Sequence, residues 1–325
     1  MKTNPPPASI DSTNRTILSF TAVLFLCAAT TNAASFLLDP VDAERKRRVP
    51  LKVYHRSATE PQPVILFSHG LGGSRENNAY LGDHWAANGY IAVFIQHAGS
   101  DEQVWTTAKR GMAMIALKNA AGLKSSLDRF QDVPFVIDHL ERWNKQRSHP
   151  LFGKLDLEHI GLCGHSFGAV TTLGLGGQKF FGRGRYADDR IDAFLPMSPQ
   201  TGKGRQAKKS FGEISSPFLC MTGTRDGSPI DPNLSPASRR EVYAAMPKGD
   251  KYQLVFEGAE HSAFGDNRGL RSRNRNPKHH PTIQKISTLF WNAYLKGDKE
   301  AKARLQPTLP TTSLGLDVKD IWEWK

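Results

Sequence analysis

His159-Ile160-Gly161-Leu162-Cys163-Gly164-His165-Ser166-Phe167-Gly168-Ala169-Val170-Thr171-Thr172-Leu173-Gly174-Leu175 decides how the rest of the chain is read. Residues 159–163 are short, apolar and closed by glycine, the pattern of a buried strand. Residues 169–175 can start a helix. Between them a serine stands in G-x-S-x-G, the signature of a strand-to-helix turn so tight that the flanking positions must be almost bare. Such a turn strains the serine and points Oγ into an open site. Serine is a poor nucleophile until a base takes its proton. An oxyanion loop upstream, and an acid and then a histidine downstream, are therefore expected in that order.

Upstream, Pro63-Val64-Ile65-Leu66-Phe67-Ser68 is apolar on every side, as a central parallel strand with both faces covered must be. It runs into His69-Gly70-Leu71-Gly72-Gly73, whose glycines let backbone N–H groups approach a ligand closely. The N–H groups of Leu71 and Phe167 are the expected pair of donors to a tetrahedral intermediate. His69, His165 and Gln200 are expected at the pocket rim. Tyr90-Ile91-Ala92-Val93-Phe94-Ile95 is a second central strand, and His97 and Asp101 beyond it read as structural or rim residues.

Downstream, strands are expected over residues 191–198, 217–223 and 251–257. Asp226 follows the second in Thr224-Arg225-Asp226-Gly227, and His261 follows the third in Gly258-Ala259-Glu260-His261. Ser166, Asp226 and His261 thus have the order a triad needs: histidine as base, carboxylate to fix its tautomer. Asp231, a few residues on, is the alternative acid.

Around these pieces, residues from Leu51 read as an edge strand, with Arg45-Lys46-Arg47-Arg48 facing water. Helices are expected over 77–88, within 102–131 as a cover for the pocket, over 133–143 (Val133, Phe135, Val136 and Leu140 on one face) and over 282–296. His279-His280 reads as a solvated loop. Strand–helix alternation gives an α/β fold, a doubly wound, mostly parallel sheet with helices on both faces.

Ser68-His69-Gly70-Leu71-Gly72-Gly73, Gln96-His97-Ala98-Gly99-Ser100-Asp101, Gly164-His165-Ser166-Phe167-Gly168 and Gly258-Ala259-Glu260-His261 together resemble the α/β-hydrolases. Within these the chain is most similar to the esterases related to dienelactone hydrolase and platelet-activating-factor acetylhydrolase, over roughly residues 45–296. The resemblance implies hydrolysis of carboxylic esters, small-molecule or lipid-like, without metal or organic cofactor. It departs in two places. The acetylhydrolases carry their acid after the strand that follows the elbow, where this chain has Met197-Ser198-Pro199-Gln200; that favours Asp226. Dienelactone hydrolases use a cysteine nucleophile, where this chain has serine. An acyltransferase on the same site, and an inactive hydrolase fold that binds an anionic polymer, are the alternatives.

The 325 residues, 39% hydrophobic, suit one large domain, expected over 34–325. Lys2 and Arg15 precede an apolar run from Ile17 to about Ala29, and Thr31-Asn32-Ala33 is an acceptable cleavage site, so residues 1–33 read as a signal peptide for a secreted or periplasmic protein. An uncleaved membrane anchor is the rival. Cys163 and Cys220 lie in apolar runs and read as buried thiols. No Cys/His cluster has zinc spacing. The net charge of +12 admits nucleic-acid binding, but no nucleic-acid motif accompanies it, so none is expected. Two basic loops, 203–209 and 268–278, are expected to rim the site and to favour anionic substrates, an anionic polymer or a membrane surface.

Overall fold

The computed structural model describes residues 1–4, 33–180, 186–202, 206–266, 276–307 and 314–325. Almost all of the expected signal peptide and most of the two basic loops lie outside these residues. The chain divides into two units, Met1–Thr31 and Asn32–Lys325. Every element below belongs to the second. No helix among the described residues is long and apolar enough to cross a membrane.

The chain enters through β1 (Ala34–Leu38), a short hairpin of β2 (Val41–Asp42) and β3 (Arg47–Arg48), and β4 (Leu51–His55). The alternation of strand and helix then sets in: β5 (Gln62–Ser68), α1 (Ala79–Ala87), β6 (Ile91–Ile95), three helices α2 (Gln103–Thr106), α3 (Ala113–Ala120) and α4 (Leu123–Lys145), β7 (Leu155–His165) and α5 (Phe167–Leu175). β8 (Ala193–Met197), α6 (Ala207–Phe211), β9 (Phe218–Arg225), α7 (Pro236–Ala245) and β10 (Lys251–Glu260) repeat it. α8 (His279–Leu295), α9 (Lys299–Leu305) and β11 (Ile321–Trp324) close the chain.

Among the described residues one nine-stranded sheet runs β1-β4-β6-β5-β7-β8-β9-β10-β11. β6, β5, β7, β8, β9 and β10 are parallel, while β1, β4 and β11 join antiparallel at the two flanks. The period of two sorts even the fully buried strands. Ile65 and Phe67 of β5 enter the layer under α1 and α8 with Trp85 and Trp291; Val64 and Leu66 enter the layer under α4 and α5 with Phe130, Val133 and Leu173. Ser68, His165 and Arg225 end parallel strands of the same sheet, so the loops that follow them gather at one end of the sheet, where α/β folds place their sites.

Several expectations need correction. The strand at Leu51 is not an edge, because β1 pairs along it from Ala34↔His55 to Leu38↔Leu51. Arg45 and Arg47 do not face water: each places a guanidinium nitrogen 2.8 Å from a carboxylate oxygen of fully buried Asp132. Residues 102–131 and 133–143 form two short helices and one long one that carries Pro134 inside it. His279-His280 is no loop. His279 is buried at the start of α8, and His280 stacks on Tyr80 at 3.8 Å. Cys163 and Cys220 are buried free thiols.

Candidate active site

The turn between β7 and α5 places Ser166 at φ 58° and ψ −111°, a conformation that costs a non-glycine residue about 1–3 kcal/mol. Its own N–H donates to the Met197 carbonyl at 3.0 Å, which anchors the turn to β8. Both flanking glycines are sterically compelled. A Cβ on Gly164 would lie 2.3 Å from the Gly168 carbonyl oxygen, and one on Gly168 would lie 1.8 Å from the Ser68 carbonyl oxygen. The second approach is what lets the start of α5 sit against the end of β5.

His261 immediately follows β10. Its Nε2 lies 2.8 Å from Ser166 Oγ and its Nδ1 2.7 Å from Asp226 Oδ1. Asp226 is fully buried, and its Oδ2 accepts from the Thr222 hydroxyl at 2.8 Å. Burial alone would raise its pKa, but the hydrogen bond from His261 and the charge of Arg239 outweigh burial and hold it below the usual carboxylate value. An ionised Asp226 keeps the proton of His261 on Nδ1 and leaves Nε2 to accept from Ser166 Oγ–H. Asp231, the alternative acid, accepts instead from the N–H of Asn233 in its own turn.

The loop 69–73 lies directly against the elbow. A Cβ on Gly70 would come within 3.4 Å of the His165 carbonyl oxygen and 3.5 Å of Ser166 Cβ. Gly72, at φ 73°, donates to the Ser100 carbonyl at 2.9 Å, and Gly73 donates to the Gly70 carbonyl at 3.1 Å. Trp105 Nε1 donates to the Gly72 carbonyl at 2.8 Å. Among the described residues, the N–H groups of Leu71 and Phe167 take no part in these backbone bonds. Phe167 is the first residue of α5, so the positive end of a helix dipole adds to its N–H.

The rim residues fare differently. His69 is fully buried and is a strut rather than a rim residue. Its Nε2 accepts the His97 N–H at 3.0 Å, so its proton sits on Nδ1, which donates to the Gly70 carbonyl at 2.6 Å. Burial pushes its pKa well down, as it does for His97, also fully buried. His165 is partly buried and donates from Nε2 to the His261 carbonyl at 3.2 Å; burial and its neighbour His261 lower its pKa to about 3. Gln200 lies partly buried just past β8.

Two features were not anticipated. Arg239 of α7 is buried beside Asp226, with Nε 3.0 Å from Oδ1, and donates to the Ser198 carbonyl at 2.8 Å. In sequence it stands in Ser238-Arg239-Arg240 and looks like surface charge. A second serine–histidine–aspartate chain also exists: Ser68 Oγ to His97 Nε2 at 2.9 Å, and His97 Nδ1 to Asp132 Oδ2 at 2.9 Å. All three residues are fully buried, so no substrate reaches this serine. It braces the end of β5. Among the described residues no cluster of histidine, cysteine and carboxylate side chains could hold a metal ion.

Comparison with known proteins bears on this geometry. Residues 43–119 match the family described as platelet-activating factor acetylhydrolase, isoform II. That segment includes the loop 69–73 but not Ser166, Asp226 or His261. Platelet-activating factor acetylhydrolase of Bos taurus is 25% identical over 145 residues, 37% of this chain and 33% of that protein. The protein called cutinase est1 of Thermobifida alba is 24% identical over 218 residues, 64% of each. The chain spans about a third of the length of the acetylhydrolase it matches. Among solved structures, a ferulic acid esterase from Streptomyces cinnamoneus superposes with a TM-score of 0.63 over 91% of this chain and 97% of that one, at 16% identity. The fold is that of the α/β-hydrolases.

Proposed function

We propose that this chain, with its α/β-hydrolase fold, is an exported serine esterase that cleaves carboxylic esters through an acyl-enzyme. The observation that carries the reading is the unbroken relay of Ser166 Oγ, His261 and Asp226 at 2.8 and 2.7 Å on a strained elbow. The names of the similar proteins, an acetylhydrolase, a cutinase and a ferulic acid esterase, support the same reaction class.

The distances support each step of this reading. His261 Nε2 takes the Ser166 proton as Oγ attacks the ester carbonyl carbon. The resulting imidazolium is held by ionised, buried Asp226. The carbonyl oxygen, now an alkoxide, accepts from the N–H groups of Leu71 and Phe167. Collapse of the intermediate expels the alcohol, which takes the proton from His261. Water then attacks the acyl-enzyme with His261 again as base, and the carboxylic acid leaves. On this reading the substrate is a small or lipid-like ester, and the basic stretches 203–209, whose Lys208 and Lys209 lie on α6, and 268–278 favour anionic ones by charge.

A fluorophosphonate probe and p-nitrophenyl esters from acetate to decanoate test the assignment. The wild type is expected to be labelled at Ser166 and to show a chain-length optimum. Ser166→Ala is expected to lose labelling and about a thousandfold or more in kcat/KM without loss of thermal stability. Folded Ser166→Ala that keeps a tenth of the activity would overturn the nucleophile assignment.

A further inference from the structure

We propose that Arg129 is a positioning residue of the oxyanion hole, one buried guanidinium that sets both N–H donors relative to each other. The proposal rests on the esterase reading above.

Arg129 projects from α4 and is fully buried. Its Nη1 donates to the His69 carbonyl at 2.7 Å, and its Nε donates to Ser100 Oγ at 2.9 Å. Ser100 in turn accepts the Gly72 N–H on its carbonyl at 2.9 Å. The guanidinium therefore clamps the loop 69–73 at both ends. Its carbon also sits 4.5 Å from the centre of the Phe167 ring, within cation–π range. Phe167 supplies one expected oxyanion donor, and the clamped loop supplies the other.

Peptide geometry carries the constraint to the second donor. The Gly70 carbonyl and the Leu71 N–H belong to one planar trans unit and point in opposite directions. The Gly70 carbonyl is held by His69 Nδ1 at 2.6 Å and by the Gly73 N–H at 3.1 Å. Fixing that oxygen fixes the direction of the Leu71 N–H, in a loop whose Gly70 packs against the elbow. The His69 ring can do this only if its own backbone stays in place, and Arg129 is the donor that holds the His69 carbonyl. Burial lowers the Arg129 pKa to about 9, with Asp132 and Asp101 opposing the shift, so it remains a cation at neutral pH. A methionine would fill similar volume without the cost of burying a charge, but it would leave the His69 carbonyl without this donor. A lysine carries its three N–H donors on a single nitrogen and cannot span the loop and Ser100 as the planar guanidinium fork does.

The test separates positioning from folding. Wild type, Arg129→Met, Arg129→Lys and Ser100→Ala are titrated with the fluorophosphonate, so that kcat is counted per active site. Each is then measured for kcat, KM and affinity for an alkyl trifluoromethyl ketone. Ser166 Oγ adds to the ketone carbon, its proton passes to His261, and the new oxyanion occupies the hole. The corresponding secondary alcohol, which forms no adduct, is the reference. Arg129→Met and Arg129→Lys are expected to lose on the order of 10- to 100-fold in kcat per site. The ketone affinity should fall in proportion, while KM and alcohol affinity stay nearly constant. Ser100→Ala should show the same pattern more weakly. A structural role alone would reduce the titratable fraction and leave per-site kcat and ketone affinity unchanged, and that result overturns the proposal. If Arg129→Met does not fold, Arg129→Lys and Ser100→Ala decide by the same criteria. A folded wild type that neither labels nor turns over would sink the esterase reading; an active wild type with unaffected variants sinks this proposal alone.

Discussion

At Gly168 the difference between a glycine and an alanine is a collision of one carbon with one oxygen at 1.8 Å. The oxygen is the Ser68 backbone carbonyl, which no side-chain rotation can move aside. Gly168→Ala must therefore push α5 away from β5 and carry Ser166 with it. The expected outcome is a loss of about 2 kcal/mol or more in stability, read from urea unfolding, together with a fall in kcat per titrated site. Gly227 is a useful contrast, since a Cβ there meets nothing within 4 Å. Alanine at 227 should leave both readouts near wild type; the same losses at 227 and 168 would mean that the close approach is not the cause.

β10 has two tasks at the scale of an element. It delivers His261 from its C-terminal end, and it needs a neighbour on its outer side to pair its backbone. β11 provides that neighbour, in register from Tyr252↔Trp324 to Val255↔Ile321. Trp322 fixes β11 by stacking on Tyr252 at 5.7 Å and by donating from Nε1 to the Leu305 carbonyl at 3.1 Å. Trp322→Ala is expected to cost about 3–5 kcal/mol through the cavity and the orphaned carbonyl. The kcat per titrated site should be unchanged, because His261 is also held by Asp226 and by its neighbour His165. Stability lost without a fall in per-site kcat is the signature to look for; an equal loss of both would show that the sheet edge also governs the position of His261.

Across the whole molecule, buried neutral histidines tie folding to pH. His69 and His97 are both fully buried, with pKa values well below the ordinary 6.5. The unfolded chain binds a proton at each near pH 6.5, and the folded chain does not. Unfolding therefore takes up protons below that pH. The stability they support is present in full above pH 6.5 and is lost as the pH falls toward their folded values. Each contributes a slope of about 1.4 kcal/mol per pH unit, so the pair gives about 2.7. Urea unfolding at pH 7, 6 and 5 measures it; half that slope would mean that one ring is protonated in the folded protein, and no contribution from the pair that both are.

The elbow, the loop 69–73, the candidate acid and the candidate histidine could be read in order, because the physics at each is local. A turn that tight needs glycine, a strand covered on both faces needs an unbroken apolar run, and each functional side chain follows the end of its own strand. The doubly wound sheet followed from the same alternation. What the chain order could not reveal was the long-range pairing of charges. Arg45 and Arg47 meet Asp132 across 87 and 85 positions, and Arg129 reaches His69 across 60. In sequence these look like solvent-facing charge and an unremarkable helix. Their burial depends on which helix packs over which strand end, and that is set by the whole core. The same holds for β1 and β11, whose partners are chosen by the sheet edges left open once the parallel strands are in place. Local pattern determined the elements and the candidate catalytic residues; only tertiary structure decided the buried cations and carboxylates that hold them, because a charge can leave water only where a distant partner meets it.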